Sequence, residues 1–274
     1  MMQDNDRYAR QMLLPEIGAE GQEKLRRARV LLVGAGGLGS PIALYLVGAG
    51  IGNLTIVDDD VVSVSNLHRQ VLYGEDEVGK PKAECAARRL RRLNSEVQIQ
   101  PIVARFTKDN ADMVAGYDAV IDGCDNFATR FLIDDACRRH AVPYIYGAIC
   151  GLTGQVSVFH YGASPRSYRD LFSEEALLQA PLPPKAVVGP TPGVVGSVEV
   201  HQALQVLAGY GAPLCGKLWT IDFSTMQTQT IEFYIITNTE SEPCGSLSVF
   251  IITEKCCFRK SNQCGRKAQH KVAD

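Results

Sequence analysis

Apolar positions along this chain recur first at helical spacing and then in short uninterrupted runs, and the two patterns alternate. From Tyr8 to Arg29, Met12, Leu13 and Leu25 are set against Lys24, Arg26 and Arg27 at helical spacing, with Pro15 and Gly18 splitting the stretch. Arg29-Val30-Leu31-Leu32-Val33 is an apolar run ending in glycine, which predicts a buried strand. Pro41 to Ala49 reads as a helix, and Asn53 to Val57 as a second strand closed by Asp58-Asp59-Asp60. Pro81 to Asn94 predicts a helix with Pro81 in its first position and an apolar side of Ala83, Ala86, Ala87, Leu90 and Leu93. Its Arg88, Arg89, Arg91 and Arg92 read as a solvated face. Val97 to Val103 and Ala119 to Asp122 follow as strands, Phe127 to His140 as a helix, and a strand runs from Tyr144 towards Ile149. Strands alternating with helices predict a parallel sheet.

After Gly151 the pattern changes. Gln155 to His160, Lys217 to Phe223 and Thr228 to Ile236 read as strands joined by short turns. Between them lie a Pro-rich stretch, Ala180 to Pro192, and a helix from about Val194 to Ala208. That helix is expected to expose Val195, Val198, Ala203 and Val206 beside Gly196 and Ser197, a face suited to the core or to a two-fold interface. The expected fold class is α/β: a Rossmann-like, mostly parallel sheet that continues into antiparallel strands, with helices on both faces. Residues 1–250 are read as one domain, with a nucleotide-binding half at about 28–150 and a second half at about 151–250. Residues 251–274, where apolar periodicity fades and Lys, Arg and Cys accumulate, are read as a loosely ordered tail.

Composition narrows the classes. The chain has 274 residues, with 28 Lys plus Arg against 30 Asp plus Glu, a net charge of −2 that argues against nucleic acid as a partner. Val30 to Val57 carries no charge, but its many glycines and Pro41 fit buried strand, turn, helix and strand better than a membrane span. The polar, acidic N-terminus has no signal-peptide pattern. Nine cysteines without CxxC spacing read as reduced thiols, so a cytoplasmic location is expected.

Gly34-x-Gly36-x-x-Gly39 lies between a predicted strand and a predicted helix, where glycines let the backbone approach phosphates and the helix N-terminus offers amide donors. Asp58 ends the next strand at the spacing of a carboxylate that accepts ribose hydroxyls. This fingerprint by itself would suit a nicotinamide-dependent oxidoreductase. Asn66, Arg69, Gln70 and Lys82 follow, and extra cations suit a triphosphate better than a dinucleotide. Asp125, at the carboxyl end of the strand that closes in Asp122, is placed where a carboxylate can hold magnesium.

Taken together, Arg7-Tyr8-Ala9-Arg10-Gln11, Gly34 to Gly39 (Gly37 included), Asp58 to Gln70, Gly79 to Lys82, Asp122 to Asn126 and Gly193 to Ser197 resemble the ubiquitin-activating-like superfamily, in its bacterial ThiF/MoeB/HesA branch. The resemblance runs from about residue 7 to about residue 245. It implies adenylation, with ATP and magnesium, of the C-terminal glycine carboxylate of a small ubiquitin-like sulfur carrier ending in Gly-Gly, of thiamine or molybdopterin type. It implies ribose at Asp58, phosphates at Asn66, Arg69 and Lys82, magnesium at Asp125, and a homodimer in which Arg10 reaches the partner's triphosphate. The second half would then serve carrier binding and dimerisation. The reaction suits these residues: the attacking carboxylate is already ionised at pH 7 and needs no general base, so the protein positions groups and offsets charge.

The chain also departs from that branch. At the positions of the family's two CxxC zinc pairs it has Ser167 and Asp170, and then keeps only Cys244, so no zinc is expected there. No cysteine lies between Cys150 and Cys215, which argues against a covalent step through the crossover loop near Leu182. A decayed relative that only binds is the remaining alternative; the joint retention of Asp58, Asn66, Arg69, Lys82 and Asp125 opposes it.

Overall fold

The computed structural model describes residues 4–180 and 186–233. Two helices open the chain, α1 (Asp4–Met12) and α2 (Gly18–Arg27). Strand β1 (Arg29–Val33), helix α3 (Gly39–Ala49) and strand β2 (Asn53–Val57) follow. Then come α4 (Lys82–Leu93), β3 (Gln98–Ile102), β4 (Ala119–Asp122), α5 (Phe127–His140) and β5 (Tyr144–Cys150). The second half holds β6 (Thr153–Phe159), the short helices α6 (Tyr168–Leu171) and α7 (Glu174–Gln179), the long α8 (Pro190–Ala208), and β7 (Lys217–Asp222) with β8 (Gln227–Glu232).

The strands make one sheet in the order β3-β2-β1-β4-β5-β6-β7-β8. Neighbours from β3 through β5 run parallel, and from β5 outward each pair is antiparallel. Strand alternation divides the core in two. Val30 and Leu32 of β1 pack with Ile42 and Leu46 of α3, Leu90 of α4 and Val195 of α8. Leu31 and Val33 face Phe131 and Ile133 of α5 and the aromatic group Tyr144, Tyr146, Phe159 and Tyr168. Both faces of β1 are thus covered, which is why it reads as an unbroken apolar run. The chain proceeds outward from β1 through β2 to β3, then returns to β4 on the other side of β1. The cleft between the carboxyl ends of β1 and β4 is therefore the point where the winding reverses, where open sheets of this type bind ligands.

Several expectations need correction. Helix α8 does not present an apolar face to solvent: Val195 and Ala203 are fully buried and Val206 nearly so, because α8 lies against α3, β5 and β6. That face is core, so it does not argue for dimerisation. The helix also starts earlier than expected, at Pro190, with Pro192 still in its first turn, where a missing N–H removes no helical bond. Pro81 caps α4 rather than beginning it, and Leu93, expected on the apolar side, is exposed. The arginine face of α4 is indeed solvent-facing, with Arg88 paired to Glu77 at 2.7 Å. Among the described residues no helix is long and apolar enough to cross a membrane. The last residues of the predicted strand to Ile236, the loop around Leu182, Cys244 and the 251–274 tail lie outside the described residues.

Candidate functional site

The chain leaves β1 at Gly34, whose φ of +94° is a conformation that only glycine adopts cheaply. A Cβ on Gly39 would lie 2.2 Å from the Gly34 carbonyl oxygen, so the turn closes only with glycine at both ends. Gly36 and Gly37 face the open side of the turn. The space above Gly36 meets the Gln70 amide, and that above Gly37 meets Pro192 of α8 and the Arg69 side chain. Arg69 is held by a bond from its Nη1 to the Ser65 carbonyl at 3.0 Å and lies against the glycine turn. Gln70 is buried, and its carbonyl oxygen has no donor among the described residues. A buried acceptor without a partner, next to a glycine turn with room above it, fits a ligand that brings hydroxyl or amine donors.

Asp58 follows β2 on the adjacent strand. Its Oδ2 accepts the Ala35 N–H of the glycine turn at 2.7 Å, and its Oδ1 accepts the Asp60 N–H at 2.9 Å. Burial raises its carboxyl above the usual range, against the opposing pull of these two amides and of Lys82. Tyr73 donates its hydroxyl to the Ala35 carbonyl at 2.7 Å, which pins the turn from its other side. Lys82 begins α4 almost fully buried, and its ammonium bonds Asp60 Oδ2 at 2.8 Å. The segment between them is closed at its base by Val62 N–H to Lys80 O and Gly79 N–H to Val62 O, both 2.9 Å. It carries Asn66, which is half-buried, together with Arg69 and Gln70.

The third wall is the end of β4. Asp122 is completely buried, and both its oxygens are occupied. Oδ2 takes Arg130 Nε at 2.9 Å and the Tyr144 hydroxyl at 3.0 Å, while Oδ1 takes the Cys124 N–H at 2.9 Å. Arg130 also donates to the Cys124 carbonyl at 3.0 Å, so the turn after β4 is fixed from two sides. Burial, with the Asp122 charge beside it, keeps the Cys124 thiol protonated well above its ordinary range. Asn126 caps α5 through its side-chain oxygen and the Thr129 N–H at 2.9 Å. Capping thus falls to Asn126 and leaves the exposed Asp125 carboxylate uncommitted among the described residues. One free carboxylate two residues beyond Gly123, which packs on the glycine turn, suits magnesium, which takes one or two protein carboxylates and completes its octahedron with phosphate oxygens and water.

The structure therefore gathers Gly34, Gly36, Gly37, Gly39, Asp58, Asn66, Arg69, Gln70, Lys82 and Asp125 around the carboxyl ends of β1, β2 and β4. It does not bring Arg10 there. Helix α1 is anchored at the opposite end of the strands, where the Tyr8 ring lies against Gly50 at the end of α3 and its hydroxyl takes the Asn94 amide at 2.8 Å. Gln11 donates to the Ala49 carbonyl at 3.2 Å. An eleven-residue helix separates that end of α3 from the glycine turn, about 16 Å at the usual rise. Arg10 itself is exposed.

Sequence reasoning missed Asp60 as the partner of Lys82, and the Asp122–Arg130 pair behind Asp125. A carboxylate closing a strand as apolar as Ala119-Val120-Ile121 was the available signal for the second. At the positions of the family's first cysteine pair, Ser167 and Asp170 cap α6. The Ser167 N–H bonds Asp170 Oδ2 at 2.8 Å, and the Ser167 hydroxyl donates to Asp134 at 2.7 Å. These side chains tie α6 to α5.

Comparison with known proteins places these features in a lineage. Over 230 residues the chain is 47% identical to a sulfur carrier protein adenylyltransferase of Thermus thermophilus, covering 79% of this chain and 83% of the other. Over 243 residues it is 42% identical to the molybdopterin-synthase adenylyltransferase of Salmonella typhimurium, covering 87% and 96%. The crystal structure of E. coli MccB with ATP shares the fold with a TM-score of 0.74 at 24% identity, covering 84% of this chain and 72% of that one. The ThiF family matches residues 8–244. A match across nearly the whole described chain makes this protein a member of the ThiF family.

Proposed function

We propose that this protein adenylates the C-terminal carboxylate of a ubiquitin-like sulfur carrier. The observation that carries the reading is a glycine turn that meets Arg69 directly and is linked to Lys82 through Asp58 and Asp60. A dinucleotide brings two phosphates that the turn alone can serve; a triphosphate brings more charge, and two added cations meet it. The names of the Thermus and Salmonella relatives support the reaction class.

In this reading ATP is a substrate. Asp58 receives the ribose, and Asn66, Arg69 and Lys82 receive the phosphates. A carboxylate oxygen of the carrier attacks the α-phosphorus, the bond from that phosphorus to the bridging oxygen breaks, and pyrophosphate leaves with the bond's electrons. No proton moves, so the residues needed are those that orient and offset charge. Magnesium held by Asp125 would add positive charge at the departing phosphates. Arg10, fixed at the far end of its own subunit, serves the partner's site in a homodimer. The exposed Leu13 and Leu14 beside it, and Tyr45 on α3, offer apolar surface for that contact. No cysteine lies between Cys150 and Cys215, which argues against a thioester in the crossover loop near Leu182; adenylation itself does not depend on one.

The test is carrier-dependent exchange of labelled pyrophosphate into ATP, with a small protein ending in Gly-Gly. Exchange that needs the terminal carboxylate supports the reading. A thermal shift with NAD and none with ATP and magnesium overturns it.

A further inference from the structure

Lys82 stands in an unfavourable place for a cation. It is the first residue of α4, where the helix dipole presents its positive end, and its side chain is only 5% exposed. An ammonium so placed needs a negative partner close by. That partner is Asp60, whose Oδ2 lies 2.8 Å from Lys82 Nζ and whose main-chain carbonyl also accepts the Lys82 N–H at 2.9 Å. Asp60 is in turn fixed from the nucleotide side, since its own N–H bonds Asp58 Oδ1 at 2.9 Å, while Asp58 Oδ2 holds the Ala35 amide. An unbroken chain of bonds thus runs from the glycine turn through Asp58 and Asp60 to the lysine ammonium.

We infer that Asp60 is a positioning residue: it holds the Lys82 ammonium in place and aimed at the triphosphate, and acts on the nucleotide only through that lysine. The inference rests on the ATP-binding reading above. Its neighbour Asp59 provides the contrast. Asp59 pairs with Arg105 at 3.1 Å, and Arg105 is largely exposed, so it carries no such link.

A competing effect makes the inference testable. A carboxylate near a triphosphate also repels it, so removing Asp60 would tighten nucleotide binding if repulsion were its main action. The experiment measures the dissociation constant of magnesium with a non-hydrolysable ATP analogue by calorimetry, for wild type, Asp60→Asn, Lys82→Met and the double variant. Asp60→Asn is expected to weaken binding on the order of tenfold or more, and Asp60→Glu to restore part of it. The double variant should bind like Lys82→Met alone, because a positioning residue has nothing left to position. Asp59→Asn should bind as wild type does. Binding by Asp60→Asn that equals or exceeds wild type overturns the inference, as does a double variant weaker than Lys82→Met. If Asp60→Asn fails to fold, Asp60→Glu takes its place in the cycle, and a double variant that binds more tightly than Lys82→Met also overturns the inference. Wild type that fails to bind the analogue sinks the ATP reading itself, a separate outcome.

Discussion

Gly123 and Gly34 exclude side chains from each other: a Cβ on Gly123 would lie 2.3 Å from the Gly34 carbonyl oxygen, and a Cβ on Gly34 would lie 2.5 Å from the Gly123 carbonyl oxygen. The turn after β1 and the turn after β4 therefore pack backbone to backbone. Gly123→Ala should force them apart and cost about 1–3 kcal/mol, as overpacking generally does. Because the obstructing atoms are main chain, relaxation must shift the glycine turn. We expect weaker ATP binding together with a lowered unfolding midpoint. A variant with wild-type affinity would show that the two turns are not coupled.

Arg130 and Asp122 form a pair from which water is almost excluded, with side chains 7% and 0% exposed. Arg130→Met leaves a buried carboxylate with only neutral donors and should cost about 3–5 kcal/mol in denaturant titration. Adding Asp122→Asn should recover part of that loss, because the stranded charge is then gone. Equal stability of the single and double variants would contradict this account.

Glu199 of α8 is completely buried, and neither carboxylate oxygen has a partner among the described residues. Its carboxyl carbon fills the space that a Cβ on Gly147 of β5 would need, 2.1 Å away. Burial, reinforced by the Asp122 charge and only partly offset by Arg130, pushes its titration well above the ordinary carboxylate range. The folded state thus keeps a proton that the unfolded chain releases above about pH 4.3. The stabilising contribution is complete below that value and is lost as pH rises towards the folded pKa, at up to about 1.4 kcal/mol per pH unit. Glu199→Gln should remove this loss. Melting curves from pH 5 to 8 should show the variant gaining on wild type as pH increases; a constant difference would mean that the folded state does not hold the Glu199 proton over this range.

Asp125 is exposed and caps nothing, so Asp125→Ala should change stability by no more than about 0.5 kcal/mol. ATP–pyrophosphate exchange should be lost nonetheless, and raising magnesium should not restore it. Exchange near the wild-type rate would remove Asp125 from the reaction.

Arg10→Ala should lower the rate on the order of a thousandfold, by comparison with trans-acting arginines in phosphoryl transfer. Arg10→Lys should not restore it, since a single ammonium cannot reproduce a two-pronged guanidinium contact. Mixing inactive Arg10→Ala with inactive Asp125→Ala should regenerate activity once subunits exchange, because one site of the mixed dimer then has both intact groups. Demonstrated exchange without recovered activity would confine Arg10 to its own subunit or to no role.

How much of this was legible beforehand follows from the kind of signal each feature leaves. The buried parallel strands were readable because both faces need apolar residues, so β1, β2 and β4 appear as uninterrupted runs. The places of Gly34 and Asp58 in the fold were readable because each sits directly after such a run, and that of Asp125 because it lies three residues past one. The start of α8 was not, since Pro190 and Pro192 ordinarily signal a break and only their first-turn position excuses them. Whether Val195, Ala203 and Val206 met the core or another chain could not be read from periodicity, which marks an apolar face without naming what covers it. Asp60 stayed hidden because its partner is twenty-two residues away, across the loop that carries Arg69.

The sheet has a consequence for how the molecule comes apart. Strands β5 and β6 share seven register pairs, from Tyr144↔Phe159 to Cys150↔Thr153, so the parallel and antiparallel halves are joined through their interiors. Helix α8 of the later half covers β5 and packs on α3 of the earlier one. Cutting the chain near Gly151 would strip β5 of a partner strand and open a long edge to stray pairing. The half that carries the glycine turn shares its sheet and its helix packing with the rest, so calorimetry is expected to show the two melting in one transition.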